Sequence, residues 1–115
     1  MAFAALNGAM AVGIGSFAAH GAGPAVKTLL TTGAQYQMVH ALLALVCALW
    51  AGEGLVRAAG WAGASGGLIF ALALSSIGFL GVAGMGAIAP IGGVLMILAW
   101  LLLAFSALRV QTPSA

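Results

Sequence analysis

The side chains best equipped for chemistry in this chain are His20, Tyr36, Gln37 and His40: two imidazoles, a phenol and a primary amide. On a helix Tyr36 and His40 stand four apart and share a face, with Gln37 beside them. Ser16 lies one turn before His20. Two histidines on neighbouring helices could ligate a haem iron, and the same groups could hold a quinone headgroup by hydrogen bonds. Ionisable groups inside a membrane also mark proton or substrate paths. A plainer use is structural, because helix ends leave backbone groups free and buried polar groups need partners. No carboxylate lies near the histidines, neither carries a haem-attachment cysteine motif, and no nucleophile–base pair is evident. The structural use is therefore the expectation: no enzyme and no cofactor. A haem or quinone module built on His20 and His40 is the alternative. The single Cys47 excludes an intramolecular disulfide and a multi-cysteine metal site. Deep in an apolar run, it reads as a small packing residue.

The elements that must position these groups follow from composition. Of 115 residues, 64% are hydrophobic and 3% are charged, against about 25% charged in soluble domains. Four charges cannot clothe a soluble protein of this size, so the outside must face lipid or other apolar protein. Lys27, Arg57 and Arg109 lie far apart in sequence and make no phosphate-binding cluster, which excludes nucleic acid as a partner.

A bilayer core needs about 20 apolar helical residues. Four stretches qualify, at roughly 2–20, 34–51, 60–81 and 88–108. Runs such as ALLALVCALW and VLMILAWLLLAF do not alternate, so a β-barrel is excluded. The expected fold is all-α, an integral membrane bundle of four transmembrane helices in a single domain over residues 1–115. The first stretch lacks a basic n-region and further spans follow it, so it reads as a retained span rather than a signal peptide. Residues 24–32 are expected to form a short interfacial helix between spans one and two, with Pro24 opening it and Gly33 closing it. The second connection holds Glu53 and Arg57 four apart, a surface pair if helical. The third, GVAGMGAIAP, carries no charge and is expected to tuck against headgroups, the interfacial helix or a partner.

Every charge falls outside the spans or at an end. An even number of spans puts both termini on one side, with Arg57 and Arg109, against Lys27 alone on the other. By the positive-inside rule both termini are cytoplasmic, in the cytoplasmic (inner) membrane of a bacterium, on a margin of one charge. This places QYQMVH, the motif of residues 35–40, on the opposite, periplasmic rim. Tyr36 and Trp50 would then bracket the second span as aromatic belts do.

Small residues recur at spacing four: Ala11, Gly15 and Ala19, continuing from Asn7, and Gly63, Gly67, Ala71 and Ser75. Such stripes let helices approach closely within lipid. They are candidate packing or partner faces. Trp100 falls near the middle of the fourth span, where its indole N–H must find an acceptor, either a backbone carbonyl or a partner chain. It is the candidate intersubunit anchor.

Three motifs in order, GSFAAHG (15–21), YQMVHAL (36–42) and GAIAPIGG (86–93), carry a resemblance over nearly the whole chain. The chain resembles the uncharacterised small integral membrane-protein family that contains bacterial YgdD and human transmembrane protein 256. The resemblance implies four spans and a membrane location, and no established activity. It implies family polar positions at His20, Tyr36, Gln37 and His40. Ala89 stands where the family usually carries Thr before its proline, and Gly78 stands two residues past Ser76, where the family usually carries an aromatic after its serine.

Together these features describe a membrane protein rich in packing surface and free of charge within its spans. An accessory or assembly subunit of a larger membrane complex, such as a respiratory or photosynthetic one, is the expected function. Its partners would be the bilayer and other membrane subunits, or itself. A small oligomeric transporter is the second reading. Small four-span transporters, however, rely on a membrane-embedded Glu in their first span, and the only acid here is Glu53.

Overall fold

The computed structural model describes residues 1–50 and 54–111. Four helices follow one another: α1 (Ala2–His20), α2 (Pro24–Leu49), α3 (Gly54–Leu80) and α4 (Ala89–Gln111), with a 3₁₀ turn at Ala83–Ala87 before α4. Each of the four is long and apolar enough to cross a membrane. Helices meet this need because each satisfies its own backbone hydrogen bonds where no water can.

The second helix departs from the sequence reading. No separate interfacial helix forms over 24–32; α2 runs unbroken for 26 residues. Gly33 is not a helix stop. It is buried in the seam with α3, where a Cβ would lie 3.2 Å from the Cα of Ala71. Pro24 does open the helix, as its missing N–H allows. At 1.5 Å per residue α2 is about 39 Å long, longer than the roughly 30 Å hydrocarbon core. Its exposed first turns, with Lys27 and Thr28, can therefore stand in the headgroup region. The third helix likewise starts at Gly54, which places Arg57 in its opening turn. The expected Glu53–Arg57 pair lies outside the described residues.

Antiparallel neighbours build the molecule: α1 packs on α2, α2 on α3 and α3 on α4, while α1 and α3 meet only slightly and α1 does not pack along α4. Glycines set the two inner seams. Gly67 faces the Cα of Gln37 and Gly60 faces Cys47, both on α2. On the next face of α3, Gly66 meets Gly92 of α4, backbone to backbone. Adjacent glycines at 66 and 67 thus serve adjacent partners, because α3 lies between α2 and α4. Gly81, at φ +66°, closes α3, and its N–H donates to the carbonyl of Ile77 at 3.0 Å. The apolar third connection then packs beside the ends of α3 and α4 as the 3₁₀ turn, without a buried residue.

Candidate functional site

Extending α2 back to Pro24 moves its polar residues. Tyr36, Gln37 and His40 lie about half-way along the helix, and Trp100 lies half-way along α4. The cluster is at the centre of the bundle, not at its rim, and Tyr36 is not a belt residue. Trp50 and Trp61 are exposed together at the end that carries Arg57.

Two polar chains cross this centre. In the first, Trp100 Nε1–H donates to His40 Nε2 at 3.0 Å. That bond makes Nε2 an acceptor, so the imidazole is neutral with its proton on Nδ1. The Nδ1–H then donates to the backbone carbonyl of Tyr36, 2.6 Å away and one turn back. Both ring nitrogens of His40 are committed within the chain. Trp100 is half exposed, at 51%, yet its polar atom faces inward. Its acceptor is a side chain of its own molecule. In the second chain, Gln37 Nε2–H donates to Asn7 Oδ1 at 2.9 Å, and Asn7 Nδ2–H donates to the carbonyl of Phe3 at 3.1 Å. Gln37 is fully buried. Its Oε1 has no partner among the described residues, nor has Ser75 Oγ.

The tautomer of His40 gives a direct expectation. In protein labelled with ¹⁵N-histidine, His40 should show a protonated, pyrrole-type Nδ1 and a pyridine-type Nε2. Trp100→Phe should release Nε2 and let the tautomers exchange. A pyridine-type Nδ1 in the wild type would contradict the Trp100–His40 bond.

Small residues admit these chains. Gly63 lies against the His40 ring and Leu43. A Cβ on Gly67 would come within 3.3 Å of the Gln37 Cα and 3.4 Å of the His40 Cβ. Ala71 is buried against Gly33. These members of the 63–75 stripe line the α2 seam. Of the α1 stripe, Ala11 is buried and Gly15 lies beside Ala34, while Ala19 is exposed. The Tyr36 ring, half exposed, meets Phe70 edge-on at 5.3 Å. Cys47 is buried and packs in an apolar cluster with Leu43, Val56, Ala59 and Ala99.

His20 does not join this cluster. Gly8 of α1 lies beside Ala41, next to His40. His20 stands twelve residues further on, about 18 Å along the helix, and it is exposed, as is Ser16. The two imidazoles therefore do not face one another, and His40 offers a haem iron no free nitrogen while Trp100 holds it. Among the described residues, no group of three or more His, Cys, Asp or Glu side chains could hold a metal. What Trp100, His40, Gln37 and Asn7 do chemically is tie α1, α2 and α4 together by hydrogen bonds. Asn7 was legible only as the head of a small-residue stripe. The signal for its role was a lone amide in an oily helix, since polar side chains there bond across helices.

The model of the family described as "Protein of unknown function (DUF423)" matches residues 14–93. The chain is similar to the UPF0382 membrane protein YwdK of Bacillus subtilis (strain 168), at 35% identity, covering 91% of this chain and 92% of the relative. A UPF0382 membrane protein of Staphylococcus epidermidis (strain ATCC 12228 / FDA PCI 1200) is 38% identical, with 91% of each chain covered. The UPF0382 membrane protein SAB0533 of Staphylococcus aureus (strain bovine RF122 / ET3-1) is 34% identical, with 86% of each covered. No solved structure matches the chain.

Proposed function

We propose, from the premise that the chain belongs to the DUF423 family of membrane proteins of unknown function, that it is a non-catalytic accessory or assembly subunit. It packs against a larger membrane complex, or a second copy of itself, through the outward face of α1. The observation that carries this reading is the make-up of that face. Ala2, Ala5, Ala9, Gly13 and Ser16 are all exposed at helical spacing, flanked by Leu6, Val12 and Phe17. A Cβ on Gly13 would meet nothing within 4 Å. The exposed face of α4 is built differently, from Ile91, Val94, Ile97, Leu101 and Phe105. Long apolar side chains suit acyl chains, whereas small residues let a second helix backbone approach. The imidazole of His40 supports the same reading, since both its ring nitrogens are engaged by Trp100 and the Tyr36 carbonyl and neither is free for a substrate.

We place the protein in the bacterial cytoplasmic membrane, with the Arg57 and Arg109 end inside by the positive-inside rule. Mild-detergent extraction followed by native electrophoresis tests the function. The wild type should migrate with a stoichiometric partner or as a dimer. Gly13→Leu should migrate alone while its own unfolding free energy is unchanged or rises by up to about 1 kcal/mol, because the site is open and leucine is the better helix former. A wild type that migrates alone would end the proposal.

A further inference from the structure

Both α1 and α3 pack on α2, yet they meet each other only slightly. At the Arg57 end the space between them is a cleft of about 490 Å³, within the roughly 300–1,000 Å³ of ordinary ligand pockets. Its floor is α2, where Ala44, Cys47 and Ala48 present no long side chain. The α3 wall is equally small at Gly60 and Ala64. Across the cleft Phe3 of α1 stacks on Trp61 of α3, with ring centroids 5.4 Å apart. Arg57 also lines the cleft, one helical turn before Trp61, and is exposed.

We propose that this cleft binds a single anionic glycerophospholipid. An acyl chain lies along the alanine floor, and the phosphate sits at Arg57 with the indole N–H of Trp61 as a second donor. Three observations converge on that ligand. The cleft lies between membrane-spanning helices, so acyl chains are the molecules available to fill it, and its Ala and Gly lining is apolar. Exposed Trp50 and Trp61 mark the same end as the headgroup level. A guanidinium there presents a planar fork that matches two phosphate oxygens. In sequence, Arg57 and Arg109 fall at this end against the single acid Glu53, with Lys27 at the other, a local net positive charge that favours a net-anionic headgroup over a zwitterionic one. A free phosphate would use Arg57 and make no use of exposed Ala48 or of Phe3 in the cleft lining.

Native mass spectrometry of the purified full chain tests the site, with phosphatidylglycerol and phosphatidylcholine of equal acyl length as probes. The wild type should retain phosphatidylglycerol over phosphatidylcholine by about fivefold, the effect of one basic residue at an anionic surface. Arg57→Gln should bring the ratio to about one, and Arg57→Lys should keep most of the preference. Ala48→Leu, which fills the floor, should reduce retention of both lipids. Circular dichroism of each variant confirms the fold. An unchanged preference in Arg57→Gln, or unchanged retention in a folded Ala48→Leu, overturns the proposal. Displacement of phosphatidylglycerol by excess inorganic phosphate would assign the site to a free anion and overturn the lipid as its ligand.

Discussion

Gly66→Ala should destabilise the protein by about 3 kcal/mol, toward the upper end of what overpacking one methyl group costs. The added Cβ would lie 2.7 Å from the carbonyl oxygen of Gly92 and 2.9 Å from the backbone nitrogen of Met96. Those atoms are helix backbone, so no rotamer change relieves the clash; α4 must move as a body. Gly92→Ala meets the same seam from the other side, 2.6 Å from the Gly66 carbonyl oxygen and 2.7 Å from the Phe70 nitrogen. Because one displacement of α4 relieves both clashes, the double variant should cost less than the sum of the two. Gly93→Ala is the control. It meets nothing within 4 Å, and alanine is the better helix former by about 1 kcal/mol, so it should be neutral or stabilising. Denaturant titration in detergent, followed by circular dichroism, reads all four. Equal effects of Gly66→Ala and Gly93→Ala would rule out the α3–α4 seam described here.

His40→Leu should cost about 1–2 kcal/mol. The range follows from the net worth of an interhelical hydrogen bond in a membrane and the penalty for an orphaned donor. The cost arises mainly at Trp100, whose Nε1–H loses its acceptor at the middle of α4. Trp100→Phe in the His40→Leu background removes the stranded donor and should recover part of the loss. The two single variants and the double therefore form a cycle with a coupling of about 1 kcal/mol. Additive effects would mean that the two side chains are neighbours without a hydrogen bond.

Composition and hydropathy were enough to place four spanning helices, because a chain with four charges has no soluble alternative. They were not enough to place Gly33. A lone glycine after a polar, threonine-rich turn fits a helix stop as well as a close contact, and only its approach to Ala71 decides between them. That one reading displaced the polar cluster by half a helix, from the centre to the rim, and made His20 a false neighbour of His40. The residue types of the cluster were legible, but the pairing was not. Trp100 needed an acceptor and His40 needed partners, yet they are 60 residues apart in sequence and on helices that only tertiary packing brings together. The spacing-four stripe on α3 was visible as Gly63, Gly67, Ala71 and Ser75. Gly66, just beside it, serves the other neighbour of α3, which a single stripe could not indicate. The exposed small face of α1 is not legible in the sequence, because a helix in which alanine and glycine abound shows small residues on every side until burial separates them.

The proposal that the outward face of α1 is a protein-packing surface is tested most directly in intact membranes. A photo-crosslinking amino acid is placed at position 13 on that face, or at position 97 on the exposed face of α4. Irradiation at position 13 should give one discrete protein adduct, either a dimer of this chain or a single larger product. Position 97 should give lipid adducts alone. Lipid adducts alone at both positions would contradict a packing role for α1.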